Sequence, residues 1–271
     1  MGVAGRKIMA AQKMKPGALL HTEALSVGHA GAALLRDVSL DLPSGTLTAM
    51  IGVNGIGKTT LLRTLAGLIP PVAGKVVLGG RNLAEMPVAE RARQIAVVLT
   101  GRPDTGLLDV ETLVALGRHP WTDRWGRASE ADRAEVERSL ALTGTEPLRH
   151  RRVRSCSDGE CQKVLIARAL AQATPILLLD EPTAFLDLPN RAAVVRLLRN
   201  IAHNANKAVL FSTHDLQLAL DLCDRLILLR SNGGPWQGTP GEAMGSGDLQ
   251  RAFQGAGVHF DPIGGTHRFT L

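Results

Sequence analysis

Gly52-Val53-Asn54-Gly55-Ile56-Gly57-Lys58-Thr59 decides the reading of this 271-residue chain. The stretch fits G-x-x-x-x-G-K-[ST] and stands between an apolar strand, Leu47 to Ile51, and a helical run from Lys58 to about Gly67. Glycines let successive backbone N–H groups turn toward one point, and the helix N-terminus adds partial positive charge there. Lys58 can reach the β- and γ-phosphates of a nucleotide. The Thr59 hydroxyl suits Mg2+, which takes oxygen ligands. Gly52, Val53, Asn54, Gly55, Ile56, Gly57, Lys58, Thr59 and the adjoining Thr60 are therefore the expected nucleotide-binding set. A chance match in a glycine-rich loop would lack the flanking strand and helix.

Working outward, Ile176-Leu177-Leu178-Leu179-Asp180-Glu181 supplies a second part. An apolar strand delivers carboxylates at its C-terminal end, where ligands of parallel sheets bind. Asp180 is expected to hold Mg2+ through water, and Glu181 to orient or deprotonate the attacking water. Two solvated acids at a strand end would look the same in isolation. Beside the phosphate loop they define a nucleoside triphosphatase with a P-loop, with ATP and Mg2+ as the expected cofactors.

Other apolar runs set the fold class. Thr22 to Val27 and Leu34 to Leu42 read as strands, the second alternating through Val38, Leu40 and Leu42. Lys75 to Leu78, Ile95 to Leu99, Ala208 to Phe211 and Leu226 to Leu229 read as further strands. From Leu107 to Arg149 the periodicity is helical, with charges on the outer faces. The pattern predicts an α/β fold: a mostly parallel sheet core, an N-terminal antiparallel β portion and an inserted helical subdomain. The expected boundaries are a disordered tail over 1–18, an ATP-binding domain over 19–232 with the helical subdomain at about 107–172, and a small appendage over 233–271.

Between the two site elements lies Cys156-Ser157-Asp158-Gly159-Glu160, followed by a helical run through Ala171. This resembles the ABC signature usually written LSGGQ. Downstream, Glu181-Pro182-Thr183-Ala184-Phe185-Leu186-Asp187 resembles the ABC D-loop, and Ser212-Thr213-His214-Asp215 the H-loop. The elements stand in ABC order over roughly Leu20 to Leu229. The resemblance implies that Ser157, Asp158, Gly159 and Glu160 contact the ATP held by a second copy, making a homodimer glued by nucleotide. It implies that Asp187 serves the D-loop and that His214 bonds the γ-phosphate. Taken alone, Ser157 also reads as a helix N-cap, and His214 as a structural histidine.

Besides the signature itself, which stands in an LSDGE-like form with Cys156 in place of Leu, two positions depart from the family pattern. The Q-loop glutamine would follow Ile95 to Leu99, where Thr100 stands, and Thr100 reaches Mg2+ only through a water. Gln94 lies about 20 Å upstream along an extended strand. The adenine-stacking aromatic would fall at His29, which stacks with less surface than tyrosine and reads equally as an exposed loop histidine. Weak stacking predicts that ATP and GTP both support turnover.

Leu116-Gly117-Arg118-His119-Pro120-Trp121 resembles the G-R-x-P segment of ATPases serving importers of iron chelates, haem and cobalamin. That likeness implies integral membrane permease subunits as partners, a substrate-binding protein indirectly, and a peripheral position on the cytoplasmic face of the inner membrane. A helix stopped before proline would give the same letters. A soluble ABC ATPase, such as one for iron–sulfur assembly, and an exporter ATPase remain alternatives.

Lys+Arg 31 against Asp+Glu 25 leaves a charge of +6, which permits anionic partners without choosing one. With 3% aromatics and no tyrosine, no stacking platform for single strands is available, and no nucleic-acid partner is expected. The basic run Arg149-His150-Arg151-Arg152-Val153-Arg154 reads as solvated surface, or as a contact for anionic lipid. Three cysteines, Cys156, Cys161 and Cys223, fit a reduced compartment. Met1 to Pro16 lacks the apolar core of a secretory signal, and no run of about 18 apolar residues spans a bilayer.

Overall fold

A computed structural model describes residues 18–29, 31–230, 234–249, 258–261 and 266–269. Its elements run β1 (Ala18–His29), β2 (Ala32–Val38), β3 (Asp41–Pro43), β4 (Thr46–Ile51), α1 (Lys58–Leu65), β5 (Ala73–Leu78), β6 (Arg81–Asn82), α2 (Val88–Ala92) and β7 (Ile95–Val98). Next come α3 (Val110–Ala115), α4 (Glu130–Thr143), α5 (Asp158–Ala171), β8 (Ile176–Leu179), α6 (Leu188–Asn204), β9 (Ala208–Ser212), α7 (Leu216–Leu222) and β10 (Arg225–Leu228). The last are β11 (Trp236–Gly238), α8 (Pro240–Gly245) and the hairpin β12 (Val258–Asp261) with β13 (Thr266–Phe269).

The central sheet has the order β11-β10-β4-β9-β8-β7. Every pair is parallel except β10 with the edge strand β11. Strands buried on both faces need apolar residues at every position, which is why Ile176, Leu177, Leu178 and Leu179 run unbroken. Ile176 and Leu178 face one core with Leu61, Leu62 and Leu65 of α1 and the residues of β1 and β2. Leu177 and Leu179 face the other, with Val164 of α5, Val194 of α6 and Ala219 of α7. The period-2 alternation of a strand thus divides one sheet between two layers.

The antiparallel sheet has the order β2-β1-β5-β6, with β3 also paired to β1. The single strand expected over Leu34 to Leu42 is interrupted. Asp37 has φ of 52°, and β2 and β3 pair with separate stretches of β1. The side chain of Thr22 supplies the ladder bonds missing at the break: its Oγ1 donates to Val38 C=O at 2.7 Å and accepts from Leu40 N at 3.0 Å. Val38, Leu40 and Leu42 are nevertheless all buried, as their alternation implied.

Between β7 and β8 the described chain carries α3, α4 and α5 and no strand. Helices α3 and α4 pack on α5, and α5 also packs on β7. One helix therefore belongs to both the lobe and the sheet core. Helix α4 starts on a capping box between Ser129 and Asp132. Buried Arg118 joins the lobe's parts: Nε donates to Asp132 Oδ1 at 2.8 Å and Nη1 to Ala171 C=O at 2.7 Å. The guanidinium groups of Arg93 and Arg118 lie over the Trp121 ring, 5.0 and 5.2 Å from its centre. Its Nε1 donates to Gln172 C=O at 2.8 Å. At Gly117 a Cβ would stand 2.1 Å from Arg168 C=O, so only glycine admits this approach to α5.

Candidate active site

The phosphate loop leaves β4 and enters α1 through Gly57, whose φ of 110° forms a left-handed N-cap open to glycine. Lys58 is buried and donates through Nζ to the carbonyls of Gly52 at 2.9 Å and Val53 at 3.3 Å. Burial pushes its ammonium below the ordinary lysine value, against the opposing pull of Glu181 and Asp180. The hydrogen bond from the neighbouring Thr59 to Asp180, 121 residues apart in sequence, brings the acid pair to the start of α1 through strand pairing.

Strand β4 lies beside β9, and β9 beside β8, so the C-terminal ends of three strands meet. Asp180 follows β8 and is 2% exposed. Its Oδ1 accepts from Thr59 Oγ1 at 3.1 Å and from Ser212 Oγ at 2.8 Å. Ser212 Oγ in turn accepts from Glu181 N at 2.8 Å. Ser212 thus holds both acidic residues. In the sequence Ser212 is only the first letter of Ser212-Thr213-His214-Asp215, because its role depends on β9 being next to β8.

Glu181 has φ of 48°, an uncommon conformation for a residue other than glycine that recurs at functional sites. Its Oε1 lies 2.5 Å from His214 Nε2. The two residues expected to act on the water and on the γ-phosphate therefore touch each other. Thr60, buried in α1, lies 3.2 Å from His29 Nε2 through its Oγ1. His29 is thereby brought to the loop end of α1.

Thr59 Oγ1 and the Asp180 carboxylate make a pair of hard oxygen donors beside the Lys58 charge, a donor set that fits Mg2+ with water and phosphate completing it. Thr100 lies beside the same acid. Its hydroxyl donates to the Asp180 C=O at 2.9 Å, bracing the peptide that carries the carboxylate.

At the signature, Ser157 is the N-cap of α5, and Ser157 and Glu160 form a capping box. Glu160's carboxyl lies below its ordinary value, first because Ser157 N–H donates to it and further through Arg151. Gly159 is buried beside Asn190 of α6, and Asp187 caps that helix by accepting from Asn190 N at 3.0 Å. The D-loop and signature helices therefore meet at their starts. Cys156 and Cys161 are buried, and burial pushes both thiols up. The basic run is largely tied to its own lobe: Arg149 to Glu137 and Glu111, Arg151 to Glu160.

A strand–loop–helix phosphate cradle, two acids at the neighbouring strand end and a histidine on one of them define a P-loop nucleoside triphosphatase. The ABC transporter family model matches residues 35–184. The chain is 38% identical to the cobalamin import ATP-binding protein of Halobacterium salinarum, over 91% of this chain and 62% of that longer one. It is 37% identical to the achromobactin transport ATP-binding protein of Dickeya dadantii, over 84% of this chain and 85% of that one. A solved structure described as a metal-chelate type ABC transporter in an inward-facing conformation superposes with a TM-score of 0.76 at 27% identity, covering 88% of this chain and 89% of that one. This chain belongs to the ABC transporter ATP-binding family, and it is an ATPase.

Proposed function

We propose that two copies of this chain clamp two molecules of ATP with Mg2+ and power import of a metal chelate through separate membrane subunits. The observation that carries the reading is the buried Thr59–Asp180–Ser212 network with the Glu181–His214 pair beside it. The cargo class follows from the likeness to ATPases named for cobalamin and achromobactin transport.

In this reading the loop from Gly52 to Thr60 cradles the phosphates, and Lys58 neutralises charge on the β- and γ-groups. Thr59 and Asp180 would hold Mg2+, which supplies charge neutralisation on the phosphates when bound. Glu181 orients and deprotonates the attacking water, and His214 holds the Glu181 carboxylate and the γ-phosphate in line. Ser157 and Asp158, exposed at the start of α5, meet the γ-phosphate bound by the other copy. Asp187 keeps the D-loop beside that contact.

No described helix is long and apolar enough to cross a membrane. A groove bounded by Leu68, Leu99, Thr100, Arg102, Pro103 and Arg168 offers a docking place for a permease segment. Leu68 and Leu99 are exposed there although both are large and apolar. The protein would then work peripherally, on the cytoplasmic face.

Glu181→Gln tests the reading. Turnover should fall by about 10²–10⁴-fold while nucleotide binding persists. With Mg2+ and ATP the variant should sediment as a dimer. Parental turnover, or a protein that stays monomeric with its membrane partners present, sinks the proposal.

A further inference from the structure

Arg102 stands two residues beyond Thr100, outside every motif read from the sequence. Its guanidinium is the hub of four contacts. Nη2 donates to the carbonyls of Val153 at 3.1 Å, Arg154 at 3.0 Å and Cys156 at 2.8 Å. Nη1 donates to Asp158 Oδ1 at 3.3 Å. These acceptors are the turn that leads into α5 and the first residue of the helix itself. One side chain therefore collects the segment on which Ser157 is mounted.

The other end of this connection is equally well tied. Asp180 N donates to Val98 C=O at 2.8 Å, and Thr100 Oγ1 donates to Asp180 C=O at 2.9 Å. The end of β7 thus grips the Asp180 peptide on both of its polar groups. From there two residues lead to the Arg102 contacts. The path joins the carboxylate that follows β8 to the start of α5 by hydrogen bonds whose partners lie 51 to 82 residues apart.

A planar guanidinium presents donors in a fixed fork, and carbonyls converging on it fix direction as well as distance. A lysine keeps the charge but loses the fork, and a neutral stem loses both. The loop after β7 also carries Thr100, whose hydroxyl donates to the Asp180 carbonyl.

We propose that Arg102 is a positioning residue that holds the Ser157 end of α5 in register with Asp180 and Glu181, so that the second copy can meet the nucleotide. The inference rests on the two-copy reading above. Arg102 touches neither nucleotide nor water; it acts through the helix start it carries. Arg102 also borders the groove with Leu68 and Leu99.

The test uses the full chain with Arg102→Ala, alone and combined with Glu181→Gln. Fluorescent ATP-analogue binding by single copies should stay within about threefold of the parent, since the phosphate loop is untouched. Turnover should fall by about 10- to 100-fold, the equivalent of about one charged hydrogen bond. Sedimentation with Mg2+ and ATP should show dimer for Glu181→Gln and monomer for the double variant. Arg102→Lys should recover part of the dimer. A double variant that dimerises at the parental ATP concentration overturns the proposal. If Glu181→Gln itself stays monomeric, the two-copy reading fails and takes this inference with it. Should Arg102→Ala not fold, Arg102→Gln keeps the stem and gives the same comparison: loss of dimer with intact nucleotide binding supports the proposal, and a parental dimer overturns it.

Discussion

The end of β8 and the start of α5, the two halves of the site proposed for two copies, are built in opposite ways. Asp180 is enclosed, with Thr59 and Ser212 on its carboxylate and Val98 and Thr100 on its peptide. Ser157 and Asp158 are exposed: Ser157 is capped by Glu160, which Arg151 holds, and Asp158 is held by Arg102. A group that must keep its geometry through hydrolysis is set by strand register and burial. A group that must meet another surface has to stand outside the core, and depends on long polar side chains for its direction.

The sharpest way to break this contrast is Ser212→Ala. One hydroxyl holds both Asp180 and the Glu181 N–H, so its loss should lower turnover by about 10- to 100-fold. ATP-driven dimerisation should survive. A turnover unchanged in steady-state assays would show that strand register alone suffices on the carboxylate side.

Asp132→Asn probes the lobe that carries α5. It strips the buried Arg118 of its charge partner and weakens the cap of α4. Denaturant melts should show a loss of about 3 kcal/mol, the usual consequence of leaving a buried charge unpaired. ATP-analogue affinity should hold, because the phosphate loop is elsewhere. The Asp132 carboxyl lies below its ordinary value, first through the Ser129 side chain and then through the Ser129 backbone and Arg118. Its contribution is therefore full above about pH 4 and is lost as acidification passes the lowered value. Melting curves taken down to that range should lose the difference between parent and variant.

The smallest expected effect lies at the base end. His29 contacts Thr60 rather than presenting a large aromatic face. Exchanging ATP for GTP should change kcat/KM by less than about tenfold, since no more than one stacking contact is at stake. Strict preference for ATP would mean that the base is read by something else.

The phosphate loop, the acid pair and the signature helix were legible because each is local. Gly52 to Thr59 encodes a turn and a helix start within one stretch, and Ser157 with Glu160 spells a capping box three residues apart. The break between β2 and β3 was not legible, because the alternation through Val38, Leu40 and Leu42 continues across it while Thr22 supplies the missing bonds from another strand. Arg118 showed the same limit. Its motif suggested a cargo class, whereas its side chain is spent on Asp132, Ala171 and Trp121 inside the lobe.

The order of the amino acids by itself determined the local elements of this protein: a glycine loop at a helix start, a pair of acids at a strand end, a capped helix N-terminus and the apolar strands that carry them. Only the tertiary structure decided which polar atoms share a partner. Ser212 reaches Asp180 because β9 lies between β4 and β8, and Arg102 reaches α5 because the helix crosses back to β7. A hydrogen bond acts over about 3 Å, and the chain offers no reading of which distant residues will come that close until the sheet has set its order.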